Sequence, residues 1–536
     1  MGRLQADLAA MNADRAWFRR AVWLVVLVTL ARAVYVFWLC PYALAADEAH
    51  YWEWSRRLDW SYYSKGPGIA WLIRIFTEIF GDSEGGIRLA AVVMSAITAF
   101  TGAGLTRTLY KDQPFADRAA FFAACLILLT PAYQIASLLS TIDGPYFACW
   151  VLTAWMLALA LVRGKQWAWI AAAGVFGIGF LFKYTILLLL PGLVGFLLTS
   201  RGERSTSNRR ILAGASMLAL VLASPVVVWN ARHDWVTVRH LLGHLGVAGG
   251  DVHHAPTEHW AYDPMWTLEL IGTQLGAAGL LITLGLLGLI HARREKSRNW
   301  PGERLMLWLA LPVLGFYLAI SFITDVEANW PVAGYLTLVP LAARVVVERP
   351  ARFGGHTRRL WIATITIGLI TGVGMLRVDL LAKAANALGL NISVQRIFSS
   401  RGMAREIGVM LDGLEAETGR QPFIIANHYG RASLFAYYLR NRPVEVACSS
   451  SRWGGRKNQY DFWPDTDLDD LEHFGGRPAV MIGQGPPDSD GSYPERWPKV
   501  FDRVVEMPRL VNEHKSGVRR VFLGYGYTGF KKEQTR

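Results

Sequence analysis

Residues 45–68, with the sequence AADEAHYWEWSRRLDWSYYSKGPG, combine side chains that a group-transfer reaction needs. Asp47 and Glu48 are adjacent carboxylates, and a positioned carboxylate can accept a proton from a reacting hydroxyl group. On a helix, Asp47, Tyr51 and Trp54 share one face, which places an acid beside aromatic rings that can stack on a sugar. Lys65 adds a cation next to a turn. A simpler interpretation of Asp47 stays open, because it can also cap the helix that follows it.

These residues follow an apolar run, Ala21 to Leu39, that is long enough to cross a bilayer. The chain of 536 residues is 52% hydrophobic, contains 22 tryptophans, and has its apolar residues in blocks. This composition is typical of a polytopic membrane protein rather than of a large soluble core. The first run is long and lacks a small-residue cleavage site, so we interpret it as a retained helix and not as a cleaved signal peptide.

The formal net charge of +13 does not indicate a nucleic-acid partner, because most of the excess lies in short loops between apolar runs. We expect about eleven transmembrane helices, with the N-terminus in the cytoplasm and the C-terminus outside. Their expected positions are 18–40, 88–106, 119–136, 144–162, 167–182, 184–200, 210–229, 266–290, 305–324, 331–347 and 359–376. The four cysteines form no CxxC pair or Cys/His cluster, so neither a disulfide framework nor a zinc site is predicted.

Two outer loops and one break stand out. Residues 41–87 are too long for a simple connector and are predicted to contain two amphipathic surface helices, near 46–58 and 68–80. The loop 230–264 is rich in histidine. The fifth and sixth spans break near Lys183, and a polar break at that depth must line a cavity enclosed by protein.

From about residue 385 the apolar runs shorten and the charges become frequent and mixed. Helices are predicted near 400–418 and 430–440, and strands at 422–427, 443–449, 478–483 and 519–529. The expected fold is therefore an α-helical polytopic membrane domain, residues 1–380, followed by an extramembrane α/β domain, residues 385–536.

The motifs DEAHYWEWSRRLDWSYYSKGPGIAWLI (47–73) and FGDSEGGIRLAAV (80–92) resemble the first external loop of GT-C glycosyltransferases. The resemblance is strongest to bacterial protein O-mannosyltransferase-like proteins and to the lipid A aminoarabinose transferase. It covers roughly residues 15–350 in the same order, and RKNQYDFWPD (456–465) is more weakly similar to outer-domain segments. Further matching segments are TIDGPYFACW (141–150), GFLFKYTILLLLPG (179–192), WNARHDWVTVRHLLGH (229–244) and EANWPVAGYLTLVPLAA (327–343). The resemblance implies a GT-C fold and an inverting transfer of sugar from a polyprenyl-phosphate donor at the outer face of the bacterial inner membrane.

The resemblance also implies roles for single residues. Asp47 matches the catalytic acid of the first external loop, with Glu48 as the alternate, and Lys65 and Lys183 match lysines near the donor phosphate. Asp143 matches a recurrent aspartate that could pair with a lysine or bind a divalent ion. The remaining expected substrate contacts are Tyr62, Tyr63, Arg232, His244 and Tyr335.

Each role has a structural alternative: a snorkelling interface lysine for Lys65, a helix cap for Asp143, and aromatic-belt packing for Tyr335. In one respect the sequence departs from many relatives, which have two prolines after the cation where this chain has Gly66-Pro67-Gly68. We expect this turn, which positions Lys65, to be more flexible than in those relatives.

The expected partners are a polyprenyl-phosphate sugar, membrane lipids, and a glycan, lipid or protein acceptor. No cofactor is expected to be obligatory, with a supporting divalent cation as an option. A transporter or flippase of lipid-linked sugars, and a membrane scaffold, are the competing classes, although the paired repeats common in transporters are not visible. The sugar, the acceptor and the oligomeric state are left open.

Overall fold

The structure is a computed structural model, and it describes residues 2–200, 209–245, 262–294, 300–348, 354–387, 389, 399–453, 455–483, 500–508 and 520–530. Helices make up the membrane part. They are α1 (Gly2–Val34), α2 (Ala46–Arg56), α3 (Gly68–Phe80), α4 (Glu84–Leu109), α5 (Ala116–Leu129), α6 (Pro131–Ala136), α7 (Asp143–Leu161), α8 (Trp167–Phe182), α9 (Leu189–Thr199), α10 (Arg209–Arg232), α11 (Val236–His244), α12 (Pro264–Arg294), α13 (Trp300–Ile320), α14 (Ala333–Leu336), α15 (Val339–Glu348), α16 (Gly354–Leu376) and α17 (Val378–Ala387).

Within the described residues, seven helices are long and apolar enough to cross a membrane. They are Ala16–Leu39, Glu84–Leu109, Asp143–Leu161, Arg209–Arg232, Pro264–Arg294, Trp300–Ile320 and Gly355–Leu376. Two shorter apolar helices, Trp167–Phe182 and Tyr184–Thr199, lie where the fifth and sixth spans were predicted. The chain is thus a multi-pass membrane protein whose helices follow the predicted order.

Two predicted spans, 119–136 and 331–347, are interrupted rather than continuous. Thr130 is extended (ψ 125°) between α5 and α6, because the proline that follows it disfavours helical geometry in the preceding residue. In the other span, the short α14 ends at Leu336 and α15 starts at Val339. Of the eleven spans expected from the sequence, some are therefore shorter than predicted and two are interrupted.

The first external loop contains the two helices that the sequence predicts, α2 and α3. On α3, Ile69 and Ile73 are buried, whereas Ile75, Ile79 and Phe80 are exposed. An apolar face left open on a short helix beside transmembrane segments is typical of a helix lying at a membrane interface.

The C-terminal region contains helices α18 (Ser399–Thr418), α19 (Tyr429–Tyr438) and α20 (Leu471–Phe474) and one five-stranded sheet. The strands are β1 (Phe423–Ala426), β2 (Val446–Cys448), β3 (Ala479–Ile482), β4 (Phe501–Glu506) and β5 (Val521–Tyr527), in the order β2-β1-β3-β5-β4. β1 runs parallel to β2 and β3, and β5 runs antiparallel to β3 and β4. Sequence analysis missed β4, because FDRVVE at a sheet edge exposes most of its side chains and lacks a clear apolar period.

Helix α19 and the segment around Tyr460 pack directly on α2. The ring nitrogen Nδ1 of His50 lies 2.8 Å from the Ser433 hydroxyl, and the Tyr460 hydroxyl donates a hydrogen bond to Glu53. A Cβ atom added to Gly430 would lie only 2.7 Å from the Cβ atom of Ala46, so α19 begins in close contact with the start of α2. The C-terminal region therefore forms one wall of the space around the first external loop.

Candidate active site

Glu48 is fully buried and holds the first external loop to the bundle. Its carboxylate forms two hydrogen bonds with Arg88, at 2.9 and 3.1 Å, and accepts two more from the backbone N–H groups of Ala45 and Ser140, at 2.9 and 3.0 Å. The bond from Ala45 is half of a capping box, because Ala45 is the N-cap residue of α2. With four hydrogen bonds the carboxylate is saturated, so this geometry favours a positioning role for Glu48.

Asp47, its neighbour, is exposed and points to a different set of groups. It does not cap α2, since the N-cap is Ala45. Surrounding protein removes water from its carboxyl group and thereby raises its pKa, while the nearby charge of Lys65 lowers it and that of Asp143 raises it. An accessible carboxylate with a raised pKa is suited to accept a proton from a substrate hydroxyl.

Lys183 and Asp143 form a buried ion pair at the break between α8 and the 3-10 turn Tyr184–Leu188. The ammonium group lies 2.7 Å from Oδ1 of Asp143, and the amide of Asn329 donates a 2.6 Å hydrogen bond to Oδ2. The sequence left open whether Asp143 pairs with a lysine or caps a helix; the structure shows the pair, and Ile142 is the N-cap of α7. An ion pair at this break in the helix holds the ammonium group of Lys183 in a fixed position, and Asp143 compensates its buried charge.

Lys65 is a second cation beside this pair. Among the described residues no carboxylate lies within ion-pair distance of its ammonium group. Burial, reinforced by the nearby charge of Lys183, lowers the pKa of Lys65 to about 8, and Asp143 and Asp47 oppose that shift. A desolvated ammonium group without a salt bridge is ready to bind an anionic ligand.

The turn Gly66-Pro67-Gly68 brings Lys65 to Lys183 by close packing. A Cβ atom added to Gly66 would lie 2.3 Å from the carbonyl oxygen of Leu181, and one added to Gly68 would lie 2.8 Å from the Phe182 ring. Both glycines are buried against the end of α8. Gly66-Pro67-Gly68, which stands where many relatives have two prolines, is therefore tightly packed. The flexible turn that we expected from the sequence is not what the structure shows.

Replacing Gly66 by alanine is expected to displace Lys65, because backbone at 2.3 Å cannot move aside as a flexible side chain can. We expect a loss of donor affinity of about tenfold or more with the protein still folded, measured by donor binding and by thermal unfolding. Gly276→Ala is the matched control, since nothing lies within 4 Å of a Cβ atom added there. Unchanged donor affinity in Gly66→Ala would contradict the importance of this contact.

Tyr62 and Tyr63 were expected to contact substrate, but both are almost fully buried. The Tyr62 ring stacks on Trp54 at 4.2 Å, and its hydroxyl hydrogen-bonds to the carbonyls of Trp54 and Arg57. Tyr63 packs on His240, with ring centroids 5.0 Å apart. As placed, neither ring offers an open face to a ligand, and both shape the loop that carries Lys65.

Only some of the histidines of the second outer loop, 230–264, lie within the described residues. His244 lies 3.2 Å from His240 between their Nε2 atoms, and its ring packs against Trp330 at 5.9 Å. Arg232 is exposed at the end of α10. His253, His254 and His259 lie outside the described residues. Over the part of the chain that is described, no group of three His, Cys, Asp or Glu side chains could hold a metal ion.

Tyr335 is buried on α14, and its carbonyl accepts a hydrogen bond from the backbone of Leu338. It interacts electrostatically with Tyr133, and none of the hydrogen bonds in the described part of the chain links it to Lys65 or Lys183. Its expected contact with the donor phosphate stays a prediction.

Sequence analysis missed two groups in or beside this site. Asn329 orients Asp143, and Arg456 from the C-terminal region interacts electrostatically with Asp47 and Lys65. Both stand in segments that carry the family resemblance, EANWP and RKNQYDFWPD, but neither has a local pattern that points to a role. Their positions depend on contacts between residues far apart in the chain.

Comparison with known proteins finds similarity in sequence and in fold. Residues 64–229 match the family model described as dolichyl-phosphate-mannose-protein mannosyltransferase. The structure superposes on ArnT from Cupriavidus metallidurans, in the apo state and bound to undecaprenyl phosphate, with TM-scores of 0.59 and 0.58. These superpositions cover 94% of this chain and 97% of that chain, at 18% and 17% identity.

The GT-C fold expected from the sequence is confirmed by this superposition. The GT-C fold thus accounts for the bundle, the first external loop and the C-terminal region. In sequence, the chain is 31% identical over 312 residues to the lipid A galacturonosyltransferase RgtD of Rhizobium johnstonii. It is 27% identical over 313 residues to an undecaprenyl phosphate-aminoarabinose arabinosyl transferase of Pseudomonas fluorescens. These matches cover 55% and 56% of this chain, and 59% and 52% of the relatives' length.

Proposed function

We propose that this protein is an inverting glycosyltransferase that moves a sugar from a polyprenyl-phosphate donor to an acceptor. The observation that carries the proposal is the pairing of opposite charges across one site. An accessible carboxylate, Asp47, interacts electrostatically with Lys65, which has no salt bridge in the described part of the chain, and the Lys183–Asp143 ion pair lies near enough to act on Lys65 as well. A displacement at a sugar carbon needs these two functions on opposite sides: a base for the nucleophile and cations for the leaving group.

The reaction then runs as a single displacement. Asp47 accepts the proton of an acceptor hydroxyl while the oxygen of that hydroxyl forms a bond to the anomeric carbon of the sugar. The bond from that carbon to the phosphate oxygen breaks, and its electron pair goes to the polyprenyl phosphate. Lys65 and Lys183 stabilise the charge that develops on this phosphate, and Asp143 and Asn329 hold Lys183 in place.

The curated relatives suggest the class of each substrate. RgtD is named as acting on lipid A, and the relatives from Pseudomonas are named for an undecaprenyl phosphate-linked aminoarabinose. We therefore propose undecaprenyl phosphate as the lipid of the donor and a lipid A-type glycolipid as the acceptor. The excess of Lys and Arg in alternate loops supports an inner-membrane orientation with the N-terminus in the cytoplasm and the C-terminal region in the periplasm.

A flippase for lipid-linked sugars is the competing function, and one experiment separates the two. The purified protein is reconstituted in vesicles with an undecaprenyl-phosphate sugar labelled in the sugar ring, with and without lipid A. A transferase yields labelled lipid A and free undecaprenyl phosphate, whereas a flippase moves the donor across the bilayer without cleaving it. Movement of intact donor without product would overturn the proposal.

The pH dependence of kcat/KM for the donor should report the two charged groups of the site. The raised pKa of Asp47 means that activity increases with pH as this base loses its proton. Lys65 carries its charge below its pKa of about 8, so activity should fall as pH rises through that value. In Lys65→Arg the falling limb is expected to move to higher pH, because a guanidinium group stays protonated. An unmoved falling limb in that variant would show that Lys65 is not the group responsible.

A further inference from the structure

Arg456 is a cation that the C-terminal region places at the edge of the site. It is half-buried, and its guanidinium carbon lies 5.8 Å from the centre of the Tyr429 ring. It interacts electrostatically with Asp47 and, more weakly than Lys183 does, with Lys65. Arg456 therefore belongs to the group of charged side chains around Asp47 and Lys65.

The backbone that carries Arg456 is anchored to the first external loop on its C-terminal side. The Gln459 side-chain oxygen accepts a 2.7 Å hydrogen bond from the backbone N–H of Tyr63, and Tyr460 binds Glu53. Asn458 caps the 3-10 turn Gln459–Phe462 and is itself buried. These contacts fix the position of Arg456 relative to α2.

Tyr429 orients the guanidinium group from the other side. Its ring packs on His50 at a centroid distance of 4.8 Å, and its side chain interacts with Arg456. A guanidinium group has five N–H donors, so contact with one tyrosine leaves most of them available. Among the described residues, no carboxylate lies within ion-pair distance of Arg456.

Two buried histidines nearby, His50 and His240, do not add positive charge. Burial lowers the pKa of His50 to about 3 and that of His240 to about 2, so both rings are neutral near pH 7. Among the described residues, the cations that interact with Asp47 or Lys65 are Lys183, which Asp143 balances, Arg456, and Lys65 itself. In the proposed reaction Lys65 binds the donor phosphate, which leaves Arg456 available for a second anion.

We propose that Arg456 is a substrate-binding residue that holds an oxyanion other than the phosphate linking the donor sugar to its lipid. This inference rests on the proposed function. The ligand chemistry is a carboxylate or phosphate group, because a planar guanidinium fork binds either one through two parallel hydrogen bonds. The group comes from an acidic donor sugar or from a phosphorylated acceptor, and in either case the C-terminal region contributes to substrate selection.

The test measures transfer with a matrix of substrates in the full-length protein. The two donors are undecaprenyl-phosphate galacturonic acid and undecaprenyl-phosphate galactose, which differ in the carboxylate. The two acceptors are lipid A and enzymatically dephosphorylated lipid A. Wild type is compared with Arg456→Gln, Arg456→Lys and the control Lys457→Gln, which removes an exposed positive charge at the next position.

For Arg456→Gln we expect kcat/KM to fall about ten- to a hundredfold, mainly through KM, only in the arms that contain the bound oxyanion. A loss confined to the galacturonic acid donor assigns the carboxylate, and a loss confined to phosphorylated lipid A assigns the acceptor phosphate. Arg456→Lys should lose less kcat/KM than Arg456→Gln, since lysine keeps the positive charge but lacks the two parallel N–H donors of the guanidinium group. Lys457→Gln should match wild type.

Two outcomes would overturn the inference: an equal loss in all four arms, or no loss in any. The first would place Arg456 on the linking phosphate or in a purely structural role, and a lowered melting temperature of Arg456→Gln would identify the structural case. If wild type transfers sugar in no arm, the proposed function has failed for these substrates, which is a separate result from a failure of Arg456.

Discussion

Asp47→Asn should slow sugar transfer strongly while leaving donor binding close to that of wild type. An amide cannot accept the proton of the acceptor hydroxyl, and general base catalysis typically contributes 10²–10⁴-fold, so we expect kcat to fall at least about a hundredfold. Asp47 is accessible and makes no cap, so its replacement should leave the fold intact. Transfer and binding of a labelled undecaprenyl-phosphate sugar, measured side by side, check both statements.

Glu48→Gln is the matched comparison, because the two carboxylates are adjacent in sequence but differ in environment. Glu48 pairs with buried Arg88, so its loss leaves an uncompensated charge and should destabilise the protein by about 3 kcal/mol. We expect a lower melting temperature for Glu48→Gln and an unchanged one for Asp47→Asn. An Asp47→Asn protein that transfers sugar at the wild-type rate would rule out Asp47 as the base.

Lys65→Met should weaken donor binding and slow transfer, by about a hundredfold or more in kcat/KM. The ammonium group is desolvated and has no salt bridge in the described part of the chain, and such a group contributes strongly to stabilising charge on a leaving phosphate. Methionine keeps much of the side-chain volume and removes the charge. Binding of undecaprenyl phosphate itself, without a sugar, isolates the contact with the phosphate.

Lys165→Met provides the control for this substitution, since Lys165 is an exposed lysine in a loop predicted to face the cytoplasm. It should bind undecaprenyl phosphate as wild type does. Equal binding by Lys65→Met and Lys165→Met would favour the alternative in which Lys65 only anchors the loop at the membrane interface.

Much of the fold could be predicted from sequence because membrane helices leave long apolar runs and strands leave short ones. α2, α3 and the break at Lys183 were predicted near their observed positions. The predicted α/β alternation after residue 399 also matches the described elements, apart from the edge strand β4. Local pattern fails at β4, which lies at a sheet edge, and at Thr130, where the following proline interrupts an apolar run. It also does not reveal the gap between α14 and α15.

The site was less predictable, because its geometry depends on contacts across the whole chain. Sequence could name Asp143 and Lys183 but not choose between pairing and capping, and the 2.7 Å ion pair now makes that choice. The difference between Asp47 and Glu48 follows from Arg88 and Ser140, which lie far from both in sequence. Tyr62 and Tyr63 were expected to contact substrate, and their burial within the loop depends on packing that local sequence does not reveal; their contact with substrate stays a prediction.

The anomeric configuration of the product tests the central claim, which is that Asp47 acts as a base in a single displacement. The configuration of the transferred sugar is read by NMR in the intact product made by the wild-type protein, and it is compared with that of the donor. Our account predicts inversion, because the acceptor oxygen attacks opposite the departing phosphate. Retention would contradict it, since it requires two successive displacements through a covalent sugar–enzyme intermediate, in which Asp47 would act as a nucleophile.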